Sequence, residues 1–264
     1  MGRALAFLYG VVCYAIFFLT FLYLYGFLAN IPQLPRTIDV GGPAAGTTIA
    51  LLINFGLIAL FGLQHTVMAR PGFKEKWTKI VPVAIERSTY VLITSLLLIL
   101  LYWQWRPMTG TVIWQADATW TQYLAWAVFV GGLLVVLLST FIIDHFDLFG
   151  LRQVWLNLRQ KTYTHSPFKV TFFYKFVRHP LYVGWLMTFW GTPSMTLGHL
   201  MFAVLMSGYI LIAIRYEERD LARILGEDYV NYKQKVPMLV PKLGKSHETI
   251  KGAGSGGGEE PLSH

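Results

Sequence analysis

Cysteine is almost missing from this chain. Cys13 is the only one among 264 residues, so an intrachain disulfide is impossible and a cysteine-based metal cluster is excluded. Charge is scarce as well. Only 14% of the residues are Asp, Glu, Lys or Arg, against about 25% in soluble domains. The stretch 179–214 carries none of the four, and no internal repeat is present. What fills the chain instead is apolar: 55% of it is hydrophobic and 16% aromatic. Several apolar runs exceed the roughly 18 residues that mark a transmembrane helix. The expectation is an all-α, polytopic membrane protein, with residues 1–245 as one domain. The tail 246–264 contains Gly-Ala-Gly-Ser-Gly-Gly-Gly and is expected to be disordered.

Pro and Gly punctuate the apolar runs. Span one covers about 4–29 and stops at Asn30-Ile31-Pro32. It is longer than the apolar region of a signal peptide, about 7–15 residues, and no small-residue cleavage site follows it. Span two, about 47–69, closes at Arg70-Pro71-Gly72; span three, about 86–105, at Arg106-Pro107; span four covers about 120–144. Each is long enough to cross about 30 Å of hydrocarbon at 1.5 Å per residue.

The net charge is +8, and its distribution carries the information. Eighteen of the 22 Lys and Arg residues lie in three places: after span two, after span four, and from Arg215 to Lys245. The other two inter-span loops have one each, Arg36 and Arg106. This pattern serves orientation in a membrane rather than nucleic-acid binding. The positive-inside rule puts the rich segments, and both termini, in the cytoplasm. The fifth apolar segment is basic at both ends, so a single crossing conflicts with the rule. Gly191-Thr192-Pro193-Ser194 interrupts it, and Pro193 breaks a continuous helix. A helical hairpin follows, about 180–191 and 196–216, whose short first arm is re-entrant or strongly tilted. Beyond it Gly226 marks a break, and a short helix carries Tyr229 and Tyr232 on one face.

The hairpin brings two charged clusters to one face of the membrane. Arg178, His179 and Pro180 stand where the chain enters it. Arg215, Glu217 and Glu218 stand where it leaves. An interfacial Arg that snorkels and a Pro in a first helical turn are ordinary features. Adjacent acids at a cytoplasmic helix end are less so, since membrane-level acids are costly and usually functional. Local pairing of Glu218 with Arg215 or Arg219 is the structural alternative. Together the clusters offer carboxylates for hydroxyls or an amine, and guanidinium groups for a carboxylate.

In order, these elements are Arg178-His179-Pro180-x-Tyr182-x-Gly184, Glu217-Glu218-x-x-Leu221, Gly226-x-x-Tyr229-x-x-Tyr232 and Val236-Pro237. The series resembles the C-terminal signature of the isoprenylcysteine carboxyl methyltransferase and phospholipid methyltransferase superfamily. Further resemblance lies in three pieces nearer the N-terminus: Gln64 to Pro71, Ile85 to Tyr90, and Asp144 to Gln153. They look like the methanethiol S-methyltransferase branch, more than the NnrU-like denitrification-associated branch. The resemblance implies S-adenosylmethionine at the cytoplasmic side, with S-adenosylhomocysteine as product. It implies Arg178, His179, Pro180, Tyr182, Gly184, Arg215, Glu217 and Glu218 around that cofactor. No strand, Gly-rich turn and acid of the soluble dinucleotide-binding type contradicts it.

Methyl transfer to a thiol needs a thiolate, and a simple alkanethiol is mostly protonated at neutral pH. A histidine base suits the task. His145 is the first choice, its ring oriented by Asp144 or Asp147; His65 is the second. Tyr182 and Trp185 are placed to face the sulfonium. No metal is expected, since Asp144, His145 and Asp147 lack further clustered ligands. A small thiol and the lipid bilayer are the expected partners, with no nucleic acid and no obligate protein partner, in a bacterial inner membrane. The alternatives are methylation of a prenylcysteine carboxylate or a lipid amine, and a transporter or structural membrane protein carrying an idle signature.

Overall fold

The structure, a computed structural model, describes residues 2–164 and 172–241. The tail expected to be disordered lies outside the described residues. In chain order the helices are α1 (Arg3–Leu28), α2 (Thr47–Met68), α3 (Pro71–Trp77), α4 (Val83–Gln104), α5 (Thr119–Ile143), α6 (His145–Leu148), α7 (Leu151–Leu158), α8 (Pro180–Trp190), α9 (Leu197–Leu225) and α10 (Glu227–Lys235). Among the described residues α1, α2, α4, α5 and α9 are long and apolar enough to cross a membrane. The chain is an all-α integral membrane protein. Its first four spans begin and end within three residues of the boundaries expected from the apolar runs.

The ends of these helices follow from local chemistry. Past α1, Asn30 adopts a left-handed conformation, φ 54°, which Asn tolerates better than most residues. Pro71 cannot continue α2 but fits the first turn of α3. Between α6 and α7, Gly150 has φ 87° and lies against α4, where a Cβ would come within 2.7 Å of the Ser88 backbone nitrogen. Only glycine meets both demands.

Large apolar side chains stand exposed along the long helices, among them Leu19, Leu52, Leu63 and Leu124. In water they would be a liability; in a bilayer they are the surface that meets the lipid tails. The interior is aromatic. Tyr25, Phe27, Tyr102, Trp105, Phe189 and Phe202 form the middle of one buried cluster with Leu28, Leu101 and Ile210.

The expected hairpin is present. α8 has 11 residues, so it extends only about 16 Å, about half the hydrocarbon thickness. Its turn leads into a three-residue strand, β2 (Ser194–Thr196), and then into α9. β2 pairs antiparallel with β1 (Val112–Gln115) in the connection between α4 and α5. Around the pair, Ala116 N–H donates to Pro193 O at 2.8 Å and Trp114 Nε1–H to Thr192 O at 3.1 Å. These bonds give backbone groups at the turn protein partners, which holds the short arm in place. Sequence patterning did not suggest β1 or β2, because such short strands exist only through their pairing.

α8 is held against α5 by the absence of side chains. A Cβ on Gly132 would meet Gly184 O at 2.6 Å, and one on Gly184 would meet Gly132 O at 2.7 Å. Small residues at membrane helix interfaces let backbones approach in this way. Gly184, expected at the cofactor, therefore faces α5, and its small size serves helix packing. Gly132→Leu is expected to lower the thermal unfolding midpoint in detergent, with a loss of about 3 kcal/mol. Gly56→Leu, at a site with nothing within 4 Å, should leave the midpoint in place.

Candidate active site

Pro180 occupies the first turn of α8, so Arg178 and His179 stand at its mouth. α9 has 29 residues, about 44 Å of helix. That exceeds the roughly 30 Å of hydrocarbon, and the excess carries Glu217 and Glu218 to the same end as Arg178.

Glu218 is the hub. Its Oε1 accepts from Arg178 Nε at 2.7 Å and from His179 Nε2 at 3.1 Å. Its Oε2 pairs with Lys233 Nζ of α10 at 2.7 Å. Arg178 donates further to the backbone carbonyls of Val236 and Lys233, at 2.5 and 3.0 Å. The backbone N–H groups of Arg178 and His179 bond to Pro237 O and Met238 O. The α8 entrance, α9 and the segment after α10 are thus one polar assembly. The local ion pairs with Arg215 or Arg219 are not what forms; the partners of Glu218 come from 40 and 15 positions away. Arg215 is exposed.

Glu217, one position back, faces differently. Its Oε2 accepts from Tyr182 Oη at 2.9 Å. Tyr174 lies nearby, and burial, then the Glu217 charge, raises its phenol above the ordinary range, so it stays neutral. Tyr232 Oη donates to Tyr174 O at 2.7 Å, which joins α10 to this side of the site. Arg70 pairs with Asp220 at 2.7 Å and lies over the Tyr216 ring, tying the end of α2 to α9.

Tyr182 also lines a cavity of about 270 Å³ among α1, α2, α4, α5, α8 and α9. Most of the wall is apolar, with Phe17, Phe21, Leu98, Trp185 and Phe202 among its residues. The polar part of the wall includes His65, Tyr90, Thr94 and Arg87. Tyr90 Oη lies 3.0 Å from the His65 ring nitrogens, and Thr94 Oγ1 lies 3.5 Å from Nδ1. The His65 ring stacks on Phe61, one turn earlier in α2.

His145, the first choice as base, does not itself line the cavity but stands behind Thr140 and Phe149, which do. It is buried, and its Nε2 and Nδ1 meet Tyr14 Oη at 2.8 Å and Thr140 Oγ1 at 2.9 Å. Its ring stacks on Phe141 at 4.4 Å. Burial makes the imidazole less basic than usual, with Asp144 opposing. The carboxylates expected to orient it have other tasks. Asp147 binds Arg152, Gln153 and Tyr163, and Asp144 caps α6 by accepting from Asp147 N–H. Of the two histidines it is His65 that lines the cavity. Lys233 and Tyr174 were not foreseen, since neither belongs to a spacing with a chemical meaning of its own. No group of metal-binding side chains occurs among the described residues.

Removing the hub leaves cations buried without their anion, at a cost of about 3–5 kcal/mol. Glu218→Gln should accordingly lower stability to denaturant in detergent by that order. Lys233→Met, where the lysine side chain is half exposed, should cost under about 1 kcal/mol.

No family model and no solved structure matches the chain. Curated proteins do. A protein of Crocosphaera subtropica named methanethiol S-methyltransferase is 51% identical over 245 residues, 93% of this chain and 95% of its own. Methanethiol S-methyltransferase 2 of Bradyrhizobium diazoefficiens is 48% identical over 92% of both chains. A protein of Mycobacterium tuberculosis, also named methanethiol S-methyltransferase, is 48% identical over 91% of this chain and 98% of its own. Each of these matches covers more than nine-tenths of the chain, and the chain belongs to the methanethiol S-methyltransferase family.

Proposed function

We propose that this protein methylates methanethiol to dimethyl sulfide, with S-adenosylmethionine as donor and S-adenosylhomocysteine as second product. The observation that carries this is one side chain in two places: Tyr182 hydrogen-bonds to Glu217 and also lines the apolar cavity. The charged cluster and the space for a small thiol therefore adjoin.

An open carboxylate beside aromatic rings fits the hydroxyl- or amine-bearing part of a ribosyl sulfonium. Glu217 has one oxygen on Tyr182 and no ion pair among the described residues, so it is open to a hydroxyl or an amine. Arg178 and His179 spend their donors on Glu218 and nearby carbonyls; they are the frame that holds α9 in register. Tyr182 and Trp185 present rings that stabilise a cation by about 0.5–2 kcal/mol. When bound, the donor supplies an electrophilic methyl group.

The chain's own residues then have distinct tasks. His65 takes the thiol proton, with Tyr90 and Thr94 holding its ring. The aromatic wall excludes water. That favours a reaction in which sulfonium and thiolate become two neutral molecules, because the separated ions are the better hydrated species. The basic loops set the charged cluster and both termini in the cytoplasm, in a bacterial inner membrane.

Headspace gas chromatography on purified protein supplied with methanethiol and S-adenosylmethionine tests the reaction, and dimethyl sulfide is the expected product. Glu217→Gln should weaken S-adenosylhomocysteine binding by at least about tenfold, one charge-assisted contact. His65→Ala should lower kcat about 100-fold at neutral pH without changing that affinity. His145→Ala should lower stability and leave kcat per folded molecule near that of the parent.

A further inference from the structure

One cation on the cavity wall has no carboxylate to answer it. Arg87 lines the cavity from the beginning of α4. Its Nε donates to Leu148 O at 2.7 Å and its guanidinium lies 4.9 Å from the Tyr90 ring centroid. No ion pair to Arg87 forms among the described residues. Acids elsewhere at this end of the fold pair with other arginines: Asp147 with Arg152, Asp220 with Arg70, Glu218 with Arg178. Glu86, next to it on α4, is buried, and its Oε1 has no hydrogen-bond partner. Lys74 of α3 adds positive charge nearby.

This arrangement costs stability. A cation near a helix N-terminus opposes the helix dipole. A guanidinium on an apolar wall gives up hydration that no anion of the protein restores. One carbonyl and one ring offset this only in part, and a local rule broken without full compensation points to function.

We infer that Arg87 is a catalytic residue that binds the thiolate sulfur in the cavity, holding the substrate in its nucleophilic form. This rests on the methyl-transfer reading above. The thiol proton goes to His65. The thiolate sulfur then uses a lone pair to form a bond to the methyl carbon. The bond from that carbon to the donor's sulfonium sulfur breaks, its electron pair remaining on the donor sulfur. Arg87 loses its anion as the neutral sulfide forms, so product release is not opposed. The Nη groups make the contact, while Nε stays on Leu148 O and fixes the direction of the fork.

The test compares the parent with Arg87→Gln and Arg87→Lys in two measurements: S-adenosylhomocysteine binding by calorimetry, and kcat/KM for methanethiol from pH 6 to 9. Gln keeps a donor for Leu148 O but not the charge; Lys keeps the charge. The expected result is unchanged S-adenosylhomocysteine affinity in both variants, which also reports that they are folded. For Arg87→Gln, kcat/KM should fall about 100-fold at pH 7, the size of losing an oxyanion contact. It should climb about tenfold per pH unit with the free thiolate fraction. Arg87→Lys should recover at least part of the loss. Lost S-adenosylhomocysteine binding would assign Arg87 to the cofactor carboxylate and overturn the inference. A parent-like pH profile in Arg87→Gln would overturn it as well. A parent that makes no dimethyl sulfide would overturn the methyl-transfer reading, and the inference with it.

Discussion

The carboxylate of Glu218 is the point on which the charged end of this fold depends. It is buried and takes hydrogen bonds or ion pairs from Arg178, His179 and Lys233. Such a group is stable only when every charge has its partner. The three partners come from the mouth of α8 and from α10, so satisfying one carboxylate fixes the ends of the hairpin relative to each other. Tyr182 and Glu217 are brought together as a consequence, each one helical position or turn from a member of the cluster.

The hairpin meets a second constraint at its opposite end. A helix as short as α8 leaves its turn in surroundings where backbone groups need protein partners. β1 and the residues around it supply them, while Gly132 and Gly184 let α8 lie directly on α5. The cavity is what remains among six helices whose contacts are set by these two ends. Its apolar wall suits a small, weakly polar substrate. Its polar groups include His65 on α2, Arg87, Tyr90 and Thr94 on α4, and Tyr182 on α8, the last of which bonds to Glu217.

Much of this was legible in the residues. The spans were visible because apolar runs stop at Pro and Gly, and a bilayer demands a minimum length. The hairpin followed from Lys and Arg at both ends of one apolar segment, with Pro193 between. The meeting of Arg178 with Glu218 followed from the hairpin. Other features were closed to sequence because they depend on rotation about a helix axis or on distant pairing. His65 and His145 both end a span, but only the first lines the cavity, the second lying behind Thr140; the neighbour of His65 at i−4, Phe61, shares its face and was the available signal. Gly184 sits within a charged motif, yet its own task is to be small against Gly132. The partners of Glu218 lie far along the chain, where local spacing suggested Arg215 or Arg219. Lys233 has no motif of its own, and a three-residue strand has no period to detect.

The central claim is that the donor lies between Glu217 and the apolar cavity. A structure of the purified protein with S-adenosylhomocysteine bound tests it most directly. The account predicts the ligand's hydroxyls or amine on Glu217, and its sulfur facing the cavity beside Tyr182 and Trp185. A ligand seated away from Glu217, or with its sulfur turned from the cavity, would contradict it.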